Sequence, residues 1–203
     1  MFLEMVDLFR CVRVHRESWL VAAIDEVDGR VIINGRLGCP VCSTEYEIRD
    51  GVLEISADVP HDHDERAQAD PWRIAALLDI QQPSANVVRE GVHTQTVDAL
   101  LAIVPGRIVA LNPLGDLAPQ ERLAVIRSHP TIPLRSASVE SVALTAATDP
   151  ALAEAVRVLR TGGRLLAPAG TPVPAGLREI ARDEQEWVAV SELSHADVQL
   201  TRR

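Results

Sequence analysis

The apolar and polar positions of this chain change their pattern once, near residue 56. Before that point, apolar runs of strand length alternate with turn dipeptides. Trp19-Leu20-Val21-Ala22-Ala23-Ile24 reads as a strand, Asp28-Gly29 as a turn, and Arg30-Val31-Ile32-Ile33 as the returning strand. Asn34-Gly35 is a further turn signal. Glu45 to Ile48 gives a third strand, Asp50-Gly51 a turn, and Val52-Leu53-Glu54-Ile55 a last strand. Phe2 to Phe9 forms an apolar-rich turn or short helix ahead of them. A core this small is marginal by itself.

Residues 57–70 are polar and acidic, without apolar periodicity, which is linker composition. His61 and His63, with Asp62 and Asp64, have the look of a metal tract, but a solvated histidine pair is the commoner outcome in a charged linker. From Asp70 onward, helical and strand patterns alternate. Asp70-Pro71 starts a helix that runs to about Ile80, with an acidic cap and a proline in the first turn. Asn86 to Val88 reads as a strand, Thr96 to Val104 as a helix, and Arg107 to Leu111 as a strand. Pro119 to Arg127 reads as a helix, Val139 to Leu144 as a strand, and Asp149 to Leu159 as a helix ended by Thr161-Gly162-Gly163. Arg164 to Pro168 is a strand, Ala175 to Asp183 a helix, and Trp187 to Val190 with Val198 to Leu200 a closing antiparallel pair. This alternation predicts an α/β fold with a doubly wound, Rossmann-like parallel sheet. The expected organisation is a ribbon-like β domain over 1–56, a linker over 57–70 and the α/β domain over 71–203.

Charge narrows the partners. The net charge is −9 and every basic side chain other than histidine is arginine. An acidic chain does not suit broad binding to a phosphate backbone. Arg10, Arg13, Arg16, Arg30 and Arg36 give the N-terminal part a local basic excess, which also fits a solvated ribbon face. With only six aromatic residues to stack on bases, nucleic acid is not the expected partner. No apolar run approaches the ~20 residues that cross a bilayer, so no membrane partner is expected. Glu4 and Asp7 do not suit a signal peptide, and a cytoplasmic protein is the expectation.

The three cysteines carry the clearest chemistry. An odd count without a secretory signal argues against a disulfide framework. They fall in two clusters, Cys11-Val12-Arg13-Val14-His15 and Cys39-Pro40-Val41-Cys42. Thiolate and imidazole together suit a tetrahedral zinc ion. Cys-Pro-x-Cys turns both sulfurs toward one ion. Cys-x3-His is one residue longer than a usual knuckle, and the reach of imidazole absorbs it. The spacing therefore predicts one structural zinc held by Cys11, His15, Cys39 and Cys42, in a ribbon that such an ion would help to fold.

Residues 1–56 resemble the small zinc-ribbon activator subunits of methyltransferases, on Cys39-Pro40-Val41-Cys42 followed by Tyr46-Glu47-Ile48-Arg49-Asp50-Gly51-Val52. Members of that family stabilise enzymes that modify tRNA, rRNA and release factors. The resemblance implies zinc, and a ribbon that docks on a methyltransferase sheet, here within the same chain. The family usually has Cys-Pro-x-Cys at its first knuckle as well, where this chain has the Cys11–His15 segment.

Residues 70–203 resemble a class I methyltransferase that binds S-adenosylmethionine. The stretch Ala153-Glu154-Ala155-Val156-Arg157-Val158-Leu159-Arg160-Thr161-Gly162-Gly163-Arg164-Leu165-Leu166 looks like the helix, glycine turn and fifth strand of that fold. Leu134 to Val142 looks like the entry to its fourth strand. The resemblance implies a cofactor site around Glu90, Gly91, His93 and Asn112, and there the pattern is degenerate. The family's glycine loop follows an acidic residue; this chain has Arg89, Gly91, His93 and Gln95 at those positions, with Glu90 adjacent. Asn112 stands where a carboxylate would accept from the ribose hydroxyls. The third strand reads as compressed into Ser128 to Pro133. His93 and Gln95 are expected to place side chains where the methionine moiety would lie, so cofactor binding is expected to be weak or absent. No catalytic residue is assigned, because His93 has no carboxylate at readable spacing. The leading reading is a non-catalytic methyltransferase-like binding or scaffolding protein with an activator-type zinc ribbon. The alternative is an active methyltransferase with an atypical pocket. A homodimer or a separate methyltransferase is the possible external partner, since a short open sheet leaves an edge.

Overall fold

The computed structural model describes residues 1–56 and 70–193. The histidine tract of the linker and the Val198 to Leu200 strand lie outside the described residues.

The first four strands follow one another as an antiparallel meander: β1 (Val21–Asp28), β2 (Val31–Gly38), β3 (Glu45–Arg49) and β4 (Val52–Glu54). Asp50 and Gly51, with φ of 49° and 78°, form the β3–β4 turn. Two successive positive φ values match the right-handed twist of the flanking strands. Asn34-Gly35 makes no turn; it lies inside β2, opposite a bulge in β1 between Ile24 and Glu26. A Cβ on Gly35 would stand 2.6 Å from the Ala23 carbonyl oxygen. The glycine is there so that two backbones can close at the bulge.

The second part contains α1 (Pro71–Leu78), β5 (Asn86–Glu90), α2 (Val97–Ile103), β6 (Arg107–Leu111), β7 (Leu123–Arg127) and β8 (Val139–Ala143). It continues with α3 (Asp149–Val158), β9 (Leu159–Pro168), β10 (Leu177–Arg182) and β11 (Glu186–Ser191). The side chains of Asp70 and Thr148 accept backbone N–H bonds at the starts of α1 and α3. Two expected helices are strands. Leu123-Ala124-Val125-Ile126 is buried at every position, and an apolar run without a polar stripe does not distinguish helix from interior strand. The third parallel strand is thus β7, not a compressed Ser128–Pro133. Leu177, Ile180 and Ala181 have helical spacing because β10 carries a register shift between Glu179 and Ala181, which interrupts the two-residue alternation. Gly162 and Gly163 lie within β9, where its register against β8 shifts.

Among the described residues, all strands join one sheet in the order β1-β2-β3-β4-β7-β6-β5-β8-β9-β11-β10. β7, β6, β5, β8 and β9 are parallel, and the β10–β11 hairpin closes the far edge antiparallel. The fold is mixed α/β with a large sheet. β4 pairs parallel with β7, Val52 opposite Val125 and Glu54 opposite Arg127, so the meander continues the parallel sheet edge to edge. Ile74, Leu78 and Leu100 of α1 and α2 pack on one face with Val87 and Ile108. Leu152, Ala155 and Val158 of α3 pack on the other, in a cluster that runs from Met1, Phe9 and Leu37 through Val109, Ile126 and Leu134 to Trp187. That cluster draws on both sides of the β4–β7 seam.

Candidate metal centre and strand-end cleft

The segment after Phe9 folds back on itself. Cys11 N donates to Ser18 O at 2.9 Å and Leu20 N to Phe9 O at 3.1 Å, closing the loop that carries Cys11 and His15. The second knuckle follows β2. Ser43 N donates to Cys39 O and Cys39 N to Thr44 O, each at 2.9 Å, with Ser43 at φ 58°. The two turns bring four ligand atoms, from Cys11, His15, Cys39 and Cys42, within 4.8 Å of one another.

Two of the separations match those around a tetrahedral ion. Arms of ~2.3 Å to sulfur and ~2.0–2.1 Å to nitrogen separate two sulfurs by roughly 3.8 Å and sulfur from nitrogen by roughly 3.6 Å. Cys11 Sγ lies 3.7 Å from Cys42 Sγ, and Cys39 Sγ lies 3.5 Å from His15 Nε2. His15 Nδ1 is 2.6 Å from the Arg16 carbonyl oxygen. Donation there leaves Nε2 unprotonated and facing the sulfurs, the usual orienting contact of a ligating imidazole.

The thiols differ in acidity. Thr44, through its hydroxyl and its backbone N–H, pulls Cys42 down to about 6. Burial opposes ionisation of Cys39, but backbone bonds from Cys42 and Val41 outweigh it and the thiol is lowered. Burial raises Cys11, against an opposing bond from the Tyr46 hydroxyl 3.2 Å away. Tyr46 is itself pushed up to about 12, first by burial and then by Cys11. It accepts from Val12 N at 3.3 Å, so its own proton is available to the Cys11 sulfur. The Cys39 knuckle is thus the readier source of thiolate, and Cys11 would give up its proton to an ion held there. Sequence reasoning missed the role of Tyr46. Its signals were its place in the activator-like stretch and the alternation with Ile48, which points both side chains inward from β3.

A second site lies at the carboxyl ends of the parallel strands, where strand order reverses between β5 and β8. Open α/β sheets place ligands at such a crevice. Glu90, Asn112, Ser128, His129, Ile132 and Thr148 are among its lining residues, and it encloses ≈ 50 Å³. Small-molecule pockets run to ~300–1,000 Å³. Glu90 accepts from Thr145 N at 2.8 Å and Ala146 N at 3.3 Å. The Thr145 hydroxyl donates to Glu90 O at 2.7 Å and accepts from Val92 N at 3.0 Å. Gly91 has φ 58°, and a Cβ there would meet Thr145 Oγ1 at 2.7 Å, so this glycine serves the packing of Thr145. The Asn112 amide donates to Ser128 O at 2.8 Å and accepts from Ser128 N at 2.9 Å, tying the ends of β6 and β7.

Arg89, His93 and Gln95 are not among the lining residues of this cleft. The fully buried Arg89 donates to His93 O at 3.2 and 2.9 Å and to Thr96 Oγ1 at 3.1 Å, and burial lowers it to about 9. His93 Nε2 is 3.8 Å from Glu186 Oε1, and Glu186 in turn accepts from Arg73 at 2.8 Å. The carboxylate that no sequence spacing disclosed comes from β11, and the group faces α1 rather than the cleft. Asn112 and Ser128, bonded to each other, line it instead.

No protein-family model matches the chain, and no curated protein matches it. Several solved structures are similar. One is a complex between the Haloferax volcanii Trm112 methyltransferase activator and a candidate methyltransferase, at 20% identity and TM-score 0.39, with 47% of this chain and 49% of that chain covered. The chain therefore spans about half the length of that match. The antibiotic-resistance methyltransferase Kmr is similar at 10% identity and TM-score 0.42, with 63% and 95% covered. A 16S rRNA (adenine(1408)-N(1))-methyltransferase variant from Catenulisporales acidiphilia is similar at 13% identity and TM-score 0.38, with 61% and 91% covered. Among the described residues, no helix is long and apolar enough to cross a membrane.

Proposed function

We propose that this chain is a non-catalytic binding or scaffolding protein of the methyltransferase type, with an activator-like zinc ribbon built into its own sheet. The observation that carries the reading is the strand-end cleft. It encloses ≈ 50 Å³, and the polar groups of Glu90 and Asn112 at its wall are engaged by neighbouring loops. S-adenosylmethionine would need several times that volume. It would also lose the charge-assisted acceptor that a carboxylate offers at position 112, a difference of roughly 1–2 kcal/mol.

Zinc has a structural part in this reading. Cys11, His15, Cys39 and Cys42 would hold it, with Tyr46 bonded to the Cys11 sulfur. Bound there, the ion would supply cross-linking between the two knuckles and no reaction chemistry. The partner of the ribbon is the chain itself, because β4 occupies the edge of β7. A homodimer or a separate methyltransferase would then have the β1 or β10 edge to pair with.

Calorimetric titration with S-adenosylmethionine tests the reading. No heat of binding is expected at micromolar ligand. Micromolar binding that Gly91→Trp abolishes would overturn it and promote the alternative, an active methyltransferase with an atypical pocket. The position of the cleft at the reversal of strand order favours that alternative.

A further inference from the structure

Two loops described separately above are in contact. Residues 8–10, which lead into the first metal knuckle, form an antiparallel bridge with residues 133–135. Arg10 N donates to Pro133 O at 3.0 Å, Arg135 N donates to Leu8 O at 2.9 Å, and Phe9 lies opposite Leu134. The Arg10 side chain adds a bond to Leu134 O at 3.1 Å. Within the knuckle, Glu17 accepts from Ser136 N at 3.3 Å and from its hydroxyl at 2.8 Å. Trp19, where the knuckle closes, sits 5.9 Å beneath the Arg135 guanidinium. Residues 128–132, just upstream on the same loop, supply Ser128, His129, Pro130 and Ile132 to the wall of the strand-end cleft.

We infer that metal occupancy of the Cys11–His15–Cys39–Cys42 cluster sets the position of the 128–136 loop, and through it the width of the strand-end cleft. The inference rests on the metal reading proposed above. The loop has two anchors. One is α3: Glu154 accepts from Ile132 N at 2.9 Å, and Arg157 donates to Ile132 O at 2.7 Å and Leu134 O at 2.8 Å. That anchor lies on a packed helix, and an ion pair of 3.5 Å between Arg10 and Glu154 joins it to the other. The other is the 8–19 segment, whose shape depends on whether Cys11 and His15 are tied to the Cys39 knuckle. Without an ion, three sulfurs and an imidazole stand close together with only weak sulfur contacts between them. The knuckle then loosens, and the wall held through Arg10, Glu17 and Trp19 loosens with it. Loss of an anchor of this kind lowers the local opening free energy without requiring global unfolding.

Hydrogen exchange on the full chain tests this, with zinc content measured on the same samples. Removing zinc with a chelator is expected to speed exchange in 11–20 and in 128–136, on the order of tenfold, and to leave β5 and β6 protected. The double variant Arg10→Ala/Glu17→Ala, with zinc bound, is expected to speed 128–136 while 39–44 keeps its protection and the zinc content stays at about one per chain. Response of 11–20 alone to the chelator overturns the inference, as does uniform acceleration that includes β5. A folded chain that takes up no zinc instead overturns the metal reading on which the inference rests.

Discussion

The hydroxyl of Tyr46 and the missing Cβ of Gly91 each do one definable thing. Tyr46 bonds the most buried of the candidate sulfurs and is itself positioned by Val12 N. Contacts of this kind orient a ligand and set its basicity, and losing one typically costs about 10–100-fold in metal affinity. Tyr46→Phe is therefore expected to keep the fold and to release zinc at a correspondingly lower chelator concentration in a competition titration. An unchanged competition curve would mean that Tyr46 only fills space. Gly91 is constrained by both its φ of 58° and the nearness of Thr145. Gly91→Ala is expected to lower stability by about 1–3 kcal/mol in denaturant unfolding. Pairing it with Thr145→Ala should recover part of the loss, since only the steric share is relieved. At this scale the sequence was legible where chemistry is carried by residue type, as in the four candidate ligands that the fold brings together. It was illegible where a role depends on a distant neighbour, as for Thr145 under Gly91, Ser128 beside Asn112 and Glu186 beside His93.

Elements could be read from local pattern when pattern and pairing agreed, as in α1, α3, β6 and the Asp50-Gly51 hairpin. They could not where tertiary pairing decided, as in β7, which is buried on both faces, and β10, whose bulge mimics a helical period. The contact of α3 with the 132–134 segment has a pH signature. Burial alone would raise Glu154, but Arg157, Ile132 N and Arg10 outweigh it and hold the carboxyl below its ordinary value. A carboxyl lowered by folding stabilises the folded state fully above its unfolded pKa, and that contribution is lost as pH falls through the folded value. Glu154→Gln is thus expected to be less stable than the parent by about 1–2 kcal/mol near neutral pH, with the difference shrinking below roughly pH 4. A difference that persists unchanged into acid would assign the loss to packing instead. The β4–β7 ladder is equally open to test. Leu53 is fully buried in it, opposite Ile126, and Leu53→Asp is expected to cost about 3–5 kcal/mol in thermal or denaturant unfolding.

For the whole molecule, the sheet and the larger core cluster both cross from the N-terminal meander into the parallel strands. A single protease site engineered into 57–70 is therefore expected to yield two fragments that still elute together from a sizing column. Separate elution would mean that the pairing of β4 with β7 holds only through the covalent link. The same seam has a consequence for synthesis. Residues 1–56 leave the ribosome before the strand that covers β4, which begins at Leu123, and before the segment bridged to Phe9, which is centred on Leu134. Until then the apolar side chains of Met1, Phe2, Leu8 and Phe9 lack the surface they pack on in the finished core. Long-range pairing of this kind is slow to form and leaves edges exposed while it is pending. Nascent chains arrested short of about residue 134 should therefore be sensitive to protease across the N-terminal meander, and longer ones resistant. The meander would thus be made ahead of the strands it leans on and reach its folded form only with them.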